Sequence, residues 1–159
     1  MYNLKSFAFY VITCLLLLPH AIKTQNTKVV PLNKDNYVVE LKSHKFFVIL
    51  FSSKQKDPEY KTEMNVFNAL INLVNKQTKA DPSSPLSKVS FGKSGIEDSH
   101  YIALRFKIAD IPSIVLNFRD ENRYVYYKGS FKANNIYYWL QKHIISSLNP
   151  LNSVNDIEQ

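Results

Sequence analysis

Few residues in this chain could do covalent chemistry, and their placement narrows the choice further. The 159 residues include a single cysteine, Cys14. Disulfide exchange needs a thiolate attacker and, to oxidise a client, a second thiol. One cysteine supplies no such pair and no disulfide framework. Beyond the N-terminal segment the histidines are His44, His100 and His143. No two of them stand at metal-ligand spacing and no cysteine could join them, so they read as surface or hydrogen-bonded structural histidines. Two acidic pairs occur, Glu97 with Asp98 and Asp120 with Glu121. Adjacent carboxylates point apart on a helix or a strand. The first pair therefore reads as charge at a helix start and the second as turn residues, with no facing carboxylates of the kind glycoside hydrolysis uses. The 3 glycines match no phosphate-cradling motif. The residues give no cofactor and no metal site.

Charge adds little. The formal net charge is +7 and the pI about 9.4. The lysines are scattered, Arg105, Arg119 and Arg123 are the only arginines, and no run of four basic residues occurs. A spread basic surface is ordinarily a solvated one, so no nucleic-acid partner is expected.

The N-terminus reads as an address. Lys5 provides a positive start, Phe7 to Leu18 form an apolar run of twelve residues, and Pro-His-Ala ends at Ala21. These are secretory-signal proportions, too short to span a bilayer comfortably. The expected organisation is a cleaved signal over 1–21, a spacer over 22–28, one domain over 29–147 and a flexible tail over 148–159. An uncleaved membrane anchor is the rival reading. If the signal is cleaved, Cys14 leaves with it, no other run is long enough to span a membrane, and the protein acts in the lumen of the endoplasmic reticulum or outside the cell. No N-x-[ST] acceptor is present, and NDIEQ is not an endoplasmic-reticulum retrieval signal.

The elements that would position any site follow from apolar spacing. Val29 to Leu32 is a short β-prone piece, and Asn33 or Asp35 can cap a short helix to about Lys42. Phe46 to Phe51 is a continuous apolar run, as in a strand buried on both faces. Pro58 suits the first turn of a helix. Met64, Phe67, Leu70, Ile71 and Val74 then make one apolar face to about Gln77. Lys79 to Lys88 reads as a surface loop, Val89 to Gly92 as a strand, and Ile102, Leu104 and Phe106 as part of a short helix opening near Glu97. Asp110 to Phe118 and Arg123 to Tyr127 flank a polar turn and form a hairpin ended by Gly129. Ile136, Leu140 and Ile144 mark a last helix from about Ala133 to Ser147. Tyr124, Tyr126, Tyr127, Tyr137, Tyr138 and Trp139 form an aromatic group. Alternation puts Tyr124 and Tyr126 on one strand face and Tyr127 on the other. Packing is the default use of these rings; an exposed binding patch is the alternative.

The order βαβαβαββα, with a proline opening the hairpin, resembles the thioredoxin fold, and more closely the lumenal domains of the protein disulfide isomerase family. Over roughly Val29 to Ile145, VILF resembles the strand before the redox motif and Pro58-Glu59-Tyr60 the Pro-Glu-Tyr after it. FKIADIPSIVLNF resembles the stretch containing the family's cis-proline, and YYKGSFKANNIYYWL the final strand, glycine and helix. The resemblance implies an α/β three-layer sandwich, a mixed central sheet with helices on both faces. It implies a cis bond before Pro112, with the Ile111 backbone turned towards the redox-motif loop to pair with an extended client peptide. A similar match to the thioredoxin-like subunit of the oligosaccharyltransferase is weaker, because that subunit continues into membrane helices.

The same resemblance exposes what is missing. No W-C-x-x-C motif is present. Aligning Pro58-Glu59-Tyr60 leaves a gap where both cysteines would stand; counting on without a gap puts Lys56 and Glu59 at their positions. Leu50 stands where active members carry a buried acid. Ser52 and Ser53 cannot substitute, because a hydroxyl has no comparable redox chemistry. The expected function is therefore binding of polypeptide clients, or a subunit role in a lumenal or secreted assembly, without redox catalysis. The expected surface combines Ile111, Pro112 and Ser113 with Ser52, Ser53, Lys54 and Lys56. The alternatives are an oxidoreductase relative that relies on a partner's thiol, and a purely structural scaffold.

Overall fold

The computed structural model describes residues 28–95 and 100–148. The expected signal with Cys14, the spacer up to residue 27, Glu97, Asp98 and the tail from residue 149 lie outside the described residues.

In chain order the elements are β1 (Val30–Pro31), α1 (Tyr37–Ser43), β2 (Phe46–Ser52), α2 (Pro58–Ala80), a 3-10 turn (Pro85–Lys88), β3 (Val89–Gly95), α3 (His100–Arg105), β4 (Ser113–Phe118), β5 (Arg123–Tyr126) and α4 (Ala133–Leu148). The sheet order is β1-β3-β2-β4-β5. β1, β3 and β2 are parallel, while β4 pairs antiparallel with β2 and β5 antiparallel with β4. Every residue of β2 is buried, as a central strand covered on both faces requires.

Strand alternation divides β2 between two cores. Phe46, Val48 and Leu50 meet Phe67, Leu70, Ile71 and Val74 of α2, and Ile136, Leu140 and Ile144 of α4. Phe47, Ile49 and Phe51 meet Tyr37 of α1, Ile102 of α3 and Phe106. The molecule is thus three layers, helix–sheet–helix. Burying a phenylalanine or leucine side chain stabilises by roughly 1.5–3 kcal/mol, so the fully buried rings of Phe47, Phe51, Phe67, Phe91, Phe106 and Phe118 account for much of what holds the layers together.

Several details differ from the sequence-based expectation. β3 continues past Gly92 to Gly95, because Lys93, Ser94 and Gly95 pair with Leu50, Phe51 and Ser52; the neighbouring strand overrides weak local propensity. The stretch 79–88 is not all surface loop. Its proline-opened 3-10 turn drives Leu86 into the core at 4% exposure. The buried face of α2 begins one residue earlier than Met64, and with a charged residue: Glu63 is buried and Met64 is half-buried. Tyr126 and Tyr127 divide between the two cores as alternation requires. The Tyr126 hydroxyl donates to the Phe106 carbonyl at 2.6 Å.

Candidate functional site

The C-terminal ends of the three parallel strands, Pro31, Ser52 and Gly95, come to one end of the sheet. From there β2 leaves towards α2 on one face, and β3 towards α3 on the other. In open α/β sheets, such a divergence leaves a crevice beyond the carboxyl ends of the strands, where ligands bind. β4 starts at this same end. Ser113 pairs with Phe51, so Ile111 and Pro112 come in beside Ser52 and Ser53. The Ile111–Pro112 peptide bond is cis. The β4 ladder begins at Ser113, leaving Ile111 outside it at 36% exposure.

Between β2 and α2 the chain makes a closed turn. The Asp57 N–H donates to the Lys54 carbonyl at 2.9 Å. In return, Asp57 Oδ2 accepts from the Lys54 N–H at 3.2 Å. Pro58 then opens α2, where its missing N–H leaves no bond unmade. A carboxylate anchors the turn from below. Glu63 is 4% exposed, and its two oxygens accept from the Ser53 N–H at 2.8 Å and from the Ser53 hydroxyl at 2.6 Å. These are charge-assisted bonds, roughly twice as strong as neutral ones, and they satisfy a group that would otherwise be costly to bury.

On the β1 and β3 side of this turn lies an open polar cleft of about 510 Å3. Ser53, Lys54, Lys56, Tyr60 and Lys93 are among the residues lining it. Lys93 is half-buried, and its Nζ donates to the Tyr60 hydroxyl at 2.9 Å.

The expected site residues therefore gather at one end of the fold, in unequal positions. Lys54, Lys56 and Ile111 are exposed, and Pro112 and Ser113 are half-buried. Ser52 and Ser53 are buried, so they shape the turn from inside rather than meeting solvent. Of the positions matched to the redox motif, Lys56 and Glu59 are exposed and Leu50 is fully buried in the α2-side core. Sequence reasoning did not single out Glu63 or Lys93, and named Tyr60 only within the Pro-Glu-Tyr match. Glu63 was detectable: it sits one turn before Phe67 on the apolar stripe of α2, where a charge needs a partner. Lys93 becomes visible only once β3 is extended past Gly92.

Elsewhere several charged groups are locally paired. His44 faces Glu40 at 3.0 Å. Asp120 is held below the usual carboxylate range by hydrogen bonding with Arg119, and Glu121 pairs with Arg123. His143 lies against Trp139, and burial, with Arg123 and Lys142 nearby, pushes its pKa below the usual histidine value. Among the described residues no group of histidine and acidic side chains is placed to hold a metal ion.

No protein-family model and no curated protein matches the sequence. Solved structures do. The zinc-bound form of human ERp44 superposes with a TM-score of 0.60 at 13% identity, covering 74% of this chain and 31% of that one. The first thioredoxin domain of mouse protein disulfide-isomerase A4 gives 0.58 at 15% identity, covering 76% and 82%. The first two thioredoxin domains of Naumovozyma dairenensis Eps1p give 0.54 at 15% identity, covering 75% and 42%. The chain thus spans about a third of the ERp44 chain, and most of a single thioredoxin domain. The fold is thioredoxin-like.

Proposed function

We propose that this protein is a thioredoxin-like module of the secretory pathway that binds extended polypeptide without redox chemistry, either as a client-holding protein or as a subunit of a larger assembly. The observation that carries this reading is the conjunction of a site frame with a sequence that cannot supply a thiol pair. Ile111 and cis-Pro112 stand beside the turn after β2, and that turn consists of serine, lysine, glutamine and aspartate. The Ile111 backbone lies outside the sheet ladder and next to its first rung, which suits pairing with an extended segment. The exposed Ile111 side chain offers apolar contact. The N-terminal pattern of a positive start, an apolar run and a small residue supports entry into the secretory pathway.

Two experiments test the reading. Purified protein in an insulin-reduction assay is expected to turn over no faster than buffer; turnover above that control would restore the oxidoreductase alternative, and repeating the assay with captured partners tests a borrowed thiol. Capture of partners from the lumenal compartment is expected to weaken with Pro112→Ala and with Lys54→Glu or Lys56→Glu. If all three variants keep every partner, the site is elsewhere and the scaffold alternative gains.

A further inference from the structure

We propose that a second copy of this chain pairs with the outer edge of β5, antiparallel and about a two-fold axis at Val125, so that the two sheets join into one. This does not rest on the polypeptide-binding reading. β5 is the outermost strand of its sheet, and among the described residues no strand pairs with its far side. One bond fixes the direction of its backbone groups. The Tyr127 N–H donates to the Ile114 carbonyl at 2.9 Å, towards β4. Antiparallel strands turn the backbone groups of alternate residues to opposite sides. Val125 and Arg123 therefore also bond inwards, and the N–H and C=O of Tyr124 and Tyr126 point out of the sheet. Such a row of open groups is a template for another strand. The opposite edge offers less, because β1 is 2 residues long and one of them is Pro31, which has no N–H to donate.

The edge fits a copy of itself. With Val125 on the axis, Tyr124 of each chain falls opposite Tyr126 of the other, and these outward-facing residues exchange both backbone bonds. Val125 then meets its own counterpart in the closer, non-bonded type of pair. The rings at the seam are already set. The Tyr126 hydroxyl is held by the Phe106 carbonyl at 2.6 Å, and Tyr124 stands edge-on to Phe106 and Tyr126 at 5.1 and 5.6 Å. Tyr124 is 39% exposed, so pairing covers a ring otherwise in water, and cross-strand aromatic pairs stabilise a sheet. Arg123 falls opposite Tyr127 of the other copy, and its guanidinium already lies over the Phe118 ring at 3.9 Å, so no like charges meet across these rungs. An edge that matches itself about a two-fold axis closes as a dimer. Because the joined strands run antiparallel, the two Ile111 sites come to opposite ends of the shared sheet.

Sedimentation equilibrium on the full chain carrying Cys14→Ser is expected to give a mass that rises with concentration from one chain towards two. Tyr124→Pro removes an outward N–H and leaves the inward ladder whole, since an edge strand tolerates proline on its open side. The concentration at half-association should then rise at least about tenfold. A second measurement decides where the proline harms the fold, which circular dichroism reports. In the same background, Val125→Cys should form a disulfide-linked dimer under mild oxidation much faster than Lys128→Cys on the same strand end, where Lys128 is exposed. Only residue 125 meets its own copy, with α-carbons roughly 4.5 Å apart in such a pair, which is within disulfide reach. A single-chain mass at every concentration, a folded Tyr124→Pro protein that associates like its parent, or crosslinking at position 125 no faster than at position 128 would overturn the inference.

Discussion

Glu63 illustrates how much one buried group decides. Its carboxylate takes both the N–H and the hydroxyl of Ser53, fixing the last residue before the exposed turn. Glu63→Ala would strand those two donors in the interior, and an unmet buried polar group costs about 1–3 kcal/mol. Urea unfolding should register a loss of about 2–4 kcal/mol, since charge-assisted bonds are at the strong end; Glu63→Gln, which keeps an acceptor, should lose less. His143 gives a pH signature. Its folded pKa lies below the ordinary value of 6.5, so between the two values the unfolded chain binds the extra proton. Stability from this residue is therefore complete above about pH 6.5 and declines as pH falls from there towards the folded pKa. Thermal melts should show the midpoint dropping on acidification through that window, with the slope reduced in His143→Gln.

At the scale of elements, the strands and helices were legible where apolar spacing was strong. Phe46 to Phe51, the stripe of α2 and the row Ile136, Leu140, Ile144 each carry enough buried apolar surface to specify an element locally. Where pairing decides, the sequence was mute. Ser94 and Gly95 have no strand character of their own and join β3 because β2 runs beside them. Leu86 follows two prolines and two serines in a stretch of loop composition, yet the 3-10 turn buries it. Gly92 shows the close packing this pairing requires. A β-carbon there would come within 2.6 Å of Phe47 Cζ, and Phe47 is fully buried with His44 stacked on it at 4.8 Å, so the ring has nowhere to swing. Gly92→Ala is expected to destabilise by about 1–3 kcal/mol, the usual range for overpacking, checked by the urea midpoint at unchanged m-value.

For the whole molecule, the fold was readable from element order together with a proline before the hairpin, and the parallel–antiparallel sheet confirms it. That the expected residues would gather at one end of the sheet was readable in outline. Ile111, Pro112 and the turn residues do converge, because the antiparallel register of β4 on β2 brings them together. The accessible subset was not readable: Ser52 and Ser53 are hidden, and Lys93 and Tyr60 reach the same end only through packing. No helix among the described residues is long and apolar enough to cross a membrane. The proposed function holds polypeptide at this end of the sheet by pairing and contact, with no sulfur involved. Its most direct test places a photo-crosslinking amino acid at position 111, with position 145 on the exposed side of α4 as the control, and resolves the products with and without reductant. Polypeptide adducts at position 111, in excess of the control and unchanged by reductant, are expected. Adducts no more abundant than at position 145, or capture without ultraviolet light that reductant releases, would contradict it.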